Sequence, residues 1–178
     1  MKKFQLLLLD ANVIIELMRV GKWDAVVDTC ELFVGETVLA ESHFYQDDDR
    51  QRHDFDLHPY IEQGKVKTID ATLQQFKALD SLFQPQFLSS SVHDGEKELL
   101  AIVCGSREPW LIAAADIALV KAMAALGRSE QVLSVEVILQ KIGQQCPNLK
   151  DHYKDTRLRQ WIHWGQAEAL QGKIRKID

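Results

Sequence analysis

Short apolar runs of strand length alternate with segments of helical spacing along these 178 residues. That alternation predicts an α/β protein whose mainly parallel sheet is covered by helices on both faces. The strand-length runs are continuous rather than alternating apolar and polar, as suits strands buried on both sides. A chain this long, 46% hydrophobic and 26% charged, is sufficient for one domain with a full core.

Phe4–Leu9 is the first strand candidate. Val13, Ile14, Leu17 and Met18 then fall on one helical face, which Gly21 ends. A helix across Trp23–Cys30 and a strand at Leu32–Val34 follow. Thr37–Tyr45 reads as a helix with Thr37 in position to cap it. Gln46–Asp56, "QDDDRQRHDFD", is polar and reads as a solvated loop. Gly64 sets up a strand at Val66–Ile69, and Ala71–Phe83 is helical. Gln84–Ser91 reads as a loop, His93–Cys104 as a helix started near Ser91 or Asp94, and Gly105–Pro109 as a break. Leu111–Ala115 is a strand, and Asp116–Leu126 a helix closed by Gly127. Val132–Ser134 is a last short strand before a helix to Ile142. Cys146–Asn148 marks a boundary, dividing residues 1–145 from a helical extension, 146–178.

Composition narrows the function. No apolar stretch approaches the roughly 18 residues that span a bilayer, and Asp10 interrupts the N-terminal run, which argues against a secretory signal. Three cysteines, Cys30, Cys104 and Cys146, make an odd count without CxxC spacing. A disulfide framework or structural zinc site is not expected, and a cytoplasmic location is. The net charge of −5 is unevenly spread: Lys150–Asp178 carries +3 and the remaining residues −8. An acidic body with a basic tail is one way to hold cations and meet a polyanion; the plain alternative is a solvated terminal helix.

The acidic residues carry the chemistry. In open parallel sheets, ligands bind beyond the carboxyl ends of the strands. Asp10 follows the first strand and Asp116 follows "LIAAA", so both belong at that edge. Each is also placed to cap the next helix. Glu41 lies inside an apolar helical pattern where a charge is unexpected. "HDGEKELLAIV" adds Asp94, Glu96 and Glu98. The helix dipole accounts for Asp94 and Glu96 in a first turn, and less well for Glu98, which lies deeper. Carboxylates gathered in one pocket raise one another's pKa, and a divalent cation relieves the repulsion. Mg²⁺ and Mn²⁺ prefer such oxygen ligands, and can activate water for phosphodiester cleavage.

"LLLLDANVIIEL", "TVLAES", "DGEKELLAIV" and "LIAAADIALVKAMAALG", in this order and spacing, resemble a PIN domain across residues 4 to 142, and "HPYIEQGKVKTIDA" (His58–Ala71) is similar in type and place. The resemblance implies a three-layer α/β/α fold with a central, mainly parallel sheet of about five strands. It also implies a metal-dependent ribonuclease with RNA as substrate, and for many bacterial members a toxin paired with an antitoxin protein. By motif, Asp10 with Asn12, Glu41 and Asp116 match. The third acid is Glu98, which has the better spacing to Asp116, or Glu96. Asp94 is a further candidate. The sequence departs from the family where a Thr or Ser usually precedes the fourth acid, here "AAAD", and it extends some 30 residues past the family's usual end.

Gly-rich phosphate loops, GxSxG elbows and HExxH pairs are absent from the sequence. Asp47–Asp49 reads as solvated, and His93 as a residue near a pocket mouth. "RLRQWIHW" offers Arg157, Arg159 and Trp161 for single-stranded nucleic acid. The competing reading, favoured by the three-residue spacing of Trp161 and Trp164, is an apolar helix face packed on the domain or on a second subunit of a homodimer. The expected function is a Mg²⁺- or Mn²⁺-dependent endoribonuclease using Asp10, Glu41, Glu98 and Asp116. The alternative is a catalytically weak or inactive PIN-like scaffold binding RNA or protein. A phosphatase-like hydrolase ranks lower, because Asn12 stands where such enzymes carry a second Asp.

Overall fold

The computed structural model describes residues 10–107, 110–145 and 148–176 in full and residues 4–8 as backbone. Leu9, Pro109 and Cys146, each part of a reading above, lie outside these residues, as does Asp178 at the end of the tail.

The chain is mixed α/β, as expected. Its strands are short: β1 (Phe4–Leu8), β2 (Cys30–Val34), β3 (Phe44–Gln46), β4 (Arg52–Asp54), β5 (Val66–Thr68), β6 (Leu111–Ala113) and β7 (Val132–Leu133). Five pair in parallel in the order β5-β2-β1-β6-β7, while β3 and β4 form an antiparallel hairpin. Leu8 at the end of β1 pairs with Val34 on one side and Ala113 on the other. That register decides where the site lies. Asp10 follows β1 and Asp116 follows β6, so both acids leave the sheet at the same edge.

Ten α-helices are described: α1 (Ala11–Arg19), α2 (Trp23–Thr29), α3 (Glu36–Glu41), α4 (His58–Glu62), α5 (Leu73–Leu82), α6 (Pro85–Ser91), α7 (Asp94–Gly105), α8 (Ile117–Ala125), α9 (Val135–Lys141) and α10 (Asp155–Leu170). Three readings need correction. The helix expected over Thr37–Tyr45 stops at Glu41, and Phe44–Gln46 joins the hairpin. There Ser42 turns its hydroxyl onto the Val38 carbonyl, 2.7 Å away, and pairing with Arg52–Asp54 supplies the partners that further helix would have given. The expected loop at Gln84–Ser91 contains α6. Its Pro85 suits a first helical turn, and burial of Phe87 and Leu88 holds it. The break expected at Gly105 is displaced, since α7 runs through that residue. The polar loop is likewise more ordered than expected: Asp47 accepts from the backbone of Asp49 and Gln51 and pairs with His53.

The tail follows from the core it covers. In α8, Ala118, Leu119, Val120 and Ala122–Ala125 are all buried, and a helix apolar on nearly every side needs cover on every side. Leu158, Trp161 and Gly165 of α10 are its buried residues, and α10 crosses α8 closely. A Cβ on Gly165 would fall 2.6 Å from the Cα of Lys121, so only glycine permits this crossing. Beyond α10, Ile174 is buried; the Gln84 N–H donates to its carbonyl, and the Lys176 N–H donates to Leu82. Each buried Trp, Leu or Ile stabilises docking by roughly 1.5–3 kcal/mol. Trp161 is buried against the core, as the packing alternative expected. Arg157 is paired with Asp151, and Arg159 with Asp155. Among the described residues no helix is long and apolar enough to cross a membrane.

Candidate functional site

Asp10 is the N-cap of α1. Both the backbone N–H and the side-chain amide of Asn12 donate to its Oδ1, each at 2.8 Å. This explains the polar pair at the end of a leucine run: the cap closes the helix through Oδ1. Asp116 caps α8 in the same way, accepting from Ala118 and Leu119 at 2.7 and 3.0 Å. The capping reading is thus correct for both acids, and it fixes the carboxylates rigidly at the sheet edge.

Beside Asp10 lies a cleft of about 360 Å³ lined by Asp10, Ala11, Asn12, Thr37, Val38, Glu41, His93, Asp94, Gly95 and Glu96. Three chain segments far apart in sequence converge there. Glu41 ends α3 on the rim and is exposed; Asp94 is exposed and paired with Lys97 at 3.2 Å. Glu96 is buried at the start of α7, where the His93 N–H donates to it at 2.9 Å.

Glu98 is placed elsewhere. It accepts a hydrogen bond from the Thr37 hydroxyl at 3.2 Å, and its Oε2 lies against Gly35, where a Cβ would come within 2.9 Å. The first turn of α7 thus sends Glu96 into the cleft and Glu98 toward the start of α3. Two residues are about 200° apart on a helix, so only one of the pair can enter. Depth along the helix and the spacing to Asp116 favour Glu98; by the face it presents, Glu96 and not Glu98 lines the cleft.

Electrostatics separate the acids further. Burial pushes the Asp10 carboxyl up from 3.8 to about 6; the Asn12 hydrogen bonds oppose this, and the charges of Asp116 and Glu41 add to it. Burial also pushes Glu96 up from 4.5 to about 7, against the His93 N–H and with the charges of Asp116 and Asp10. Asp10, Glu96 and Asp116 therefore feel one another directly, although Asp116 does not line the cleft itself. Comparison of the chain with protein-family models, with curated proteins and with solved structures gives no match. What the site can do rests on its own chemistry.

Its donors are mostly carboxylate oxygens, with the His93 imidazole at the lining, a set that suits a hard cation better than a soft one. Among the described residues no three His, Cys, Asp or Glu side chains stand close enough to enclose an ion. Mg²⁺ does not require that: it commonly takes one or two carboxylates and completes its shell with water and phosphate. Two mutually repelling acids at one cleft fit that pattern. A larger groove, about 740 Å³, lies along Ala124–Gly127 and Leu170, but no carboxylate lines it. His93, named in the sequence without a role, lines the cleft, and Thr37 both lines it and holds Glu98.

Proposed function

We propose that this protein is a Mg²⁺- or Mn²⁺-dependent endoribonuclease of the PIN type, with the three-layer α/β/α arrangement around a central parallel sheet that such a protein has. The observation that carries the reading is the convergence of Asp10 and Glu96, from opposite parts of the chain, in one cleft where burial and Asp116 raise both carboxyls toward neutrality. Acids perturbed by burial and by one another in a cleft are the physical signature of a candidate functional site.

In this reading Asp10 and Glu96 hold the cation, Asp116 adds negative charge behind them, and Glu41 and Asp94 line the approach. A bound divalent cation supplies charge neutralisation and an activated water at the phosphodiester. The chain's own residues supply position. Asn12 fixes Oδ1 of Asp10, the His93 N–H fixes one oxygen of Glu96, and the Glu98–Thr37 bond holds α3 against α7, so that Glu41 stays on the rim. The resemblance extends the proposal to the toxin of a toxin–antitoxin pair, with an antitoxin protein as partner.

The second reading, a PIN-like scaffold without strong activity, is favoured by the apolar residues before Asp116 and by the absence of a three-ligand cluster among the described residues. One experiment separates the two. Fluorescent single-stranded RNA is incubated with the wild type, Asp10→Asn and Glu96→Gln, with Mn²⁺ titrated from zero. Cation-dependent cleavage that both substitutions remove supports the nuclease. Cleavage by Asp10→Asn at the wild-type rate sinks it, and a wild type that neither binds Mn²⁺ nor cleaves leaves the scaffold.

A further inference from the structure

The C-terminal segment meets the cleft's foundations at three points, all on α1. The Tyr153 hydroxyl donates to the Asn12 carbonyl at 3.1 Å. The Lys150 N–H donates to Glu16 at 3.2 Å. Arg19 donates to the Asn148 carbonyl at 3.1 Å while holding buried Glu16 through two bonds of 2.7 Å. A buried tyrosine hydroxyl needs some partner, and packing alone accounts for the ring. Packing does not account for the choice of acceptor. Asn12 is the residue whose two donors hold Oδ1 of Asp10, so the phenol bonds the residue that orients the acid.

We propose that Tyr153 is a positioning residue for the acid cleft: its hydroxyl braces Asn12, Asn12 orients Asp10, and residues 148–153 are thereby part of the cation site. The inference rests on the proposed cation-dependent reading of the cleft. Tyr153 is buried, so its ring is held in place whether or not the hydroxyl is present. The groups around it are Glu16, Arg19, Asp10 and neighbouring His152, whose ring lies 4.0 Å from its own. Burial and the charges of Glu16 and Asp10 raise its phenol, which stays protonated and acts only as a donor. Tyr153→Phe removes that donor and little else.

The test is Mn²⁺ affinity measured by calorimetry without RNA, on full-length wild type, Tyr153→Phe, Asn12→Ala, the double variant, Asp10→Asn and Trp161→Phe. Trp161→Phe perturbs the tail at α10, away from the cleft, and controls for lost tail stability. The expected result is binding weakened about ten-fold in Tyr153→Phe, the low end of what an outer-shell partner is worth. Trp161→Phe should bind as wild type does. The double variant should lose less than the sum of the two single losses, because Tyr153 works through Asn12. Wild-type affinity in Tyr153→Phe, equal losses in Tyr153→Phe and Trp161→Phe, or strict additivity with Asn12→Ala would each overturn the proposal. If wild type and Asp10→Asn bind Mn²⁺ alike, the cation reading itself fails, and this inference fails with it.

Discussion

Thr37 and Glu98 are joined by a 3.2 Å hydrogen bond between α3 and α7. The bond removes Glu98 from the cleft and makes it a latch between the two helices that carry Glu41 and Glu96. Glu98→Gln keeps the shape and an acceptor oxygen, so it should alter Mn²⁺ affinity and cleavage by less than about three-fold. Glu96→Gln should cost about 100-fold or more in cleavage, beyond the loss of an outer-shell partner. Parallel rate measurements on the two variants check this; equal losses would return Glu98 to the site.

Stability should fall as pH rises through the cleft's titration. Asp10 has an ordinary value of 3.8 and a folded value of about 6. Between about pH 4 and pH 6 the folded state therefore binds more protons than the unfolded chain, and stability drops with increasing pH. Above that window the full cost is present, on the order of 2–3 kcal/mol from about 1.4 kcal/mol per unit. Asp10→Asn keeps a good cap and removes the charge. In chelator it should be more stable than wild type at pH 8 by about 1–3 kcal/mol, and nearly equal to it at pH 4. Denaturant melts across that range would contradict this if the two curves ran parallel.

Cation binding should reverse the same effect. Protons and cations compete for Asp10 and Glu96, so Mg²⁺ or Mn²⁺ should stabilise the fold strongly at pH 8 and weakly at pH 5. At a hundred times the dissociation constant the gain is about 2.7 kcal/mol. Thermal melts with and without Mn²⁺ at the two pH values measure it. A shift of the same size at both would place the ion elsewhere.

Gly165→Ala should destabilise the protein by about 1–3 kcal/mol or more, since overpacked helix crossings move backbone. The added methyl would lie 2.6 Å from the Cα of Lys121 and 2.9 Å from the Cβ of Ala124. Chemical denaturation gives the value, and an unchanged midpoint would show that α10 is free to shift.

Much of the fold was legible because burial writes itself into sequence. Strands β1, β2, β6 and β7 are mostly apolar, β5 buries Val66 alone, and α8 showed its depth by being apolar nearly all round. The hairpin and α6 were not legible, since Phe44–Gln46 pairs with residues beyond a polar turn and α6 depends on burying Phe87 and Leu88. Asp10, Glu41 and Asp116 stood out because a charge beside a buried run is conspicuous, and of the three Asp10 and Glu41 line the cleft. Glu96 and Glu98 could not be separated, because local spacing leaves open which of two faces of α7 meets α3. Tyr153 left no signal at all, for its partner lies at the other end of the chain.

That separation has a kinetic side. The Tyr153–Asn12 contact closes a span of 141 residues, and the Lys150–Glu16 contact one of 134. Spans of that length carry the largest loop-closure entropy and are made after local helices and neighbouring strands. The contacts of the tail with α1 are thus the costliest in chain entropy of those beside the cleft. A molecule caught with its sheet assembled and its final helix still undocked holds every carboxylate of the cleft but lacks the Tyr153 bond to Asn12.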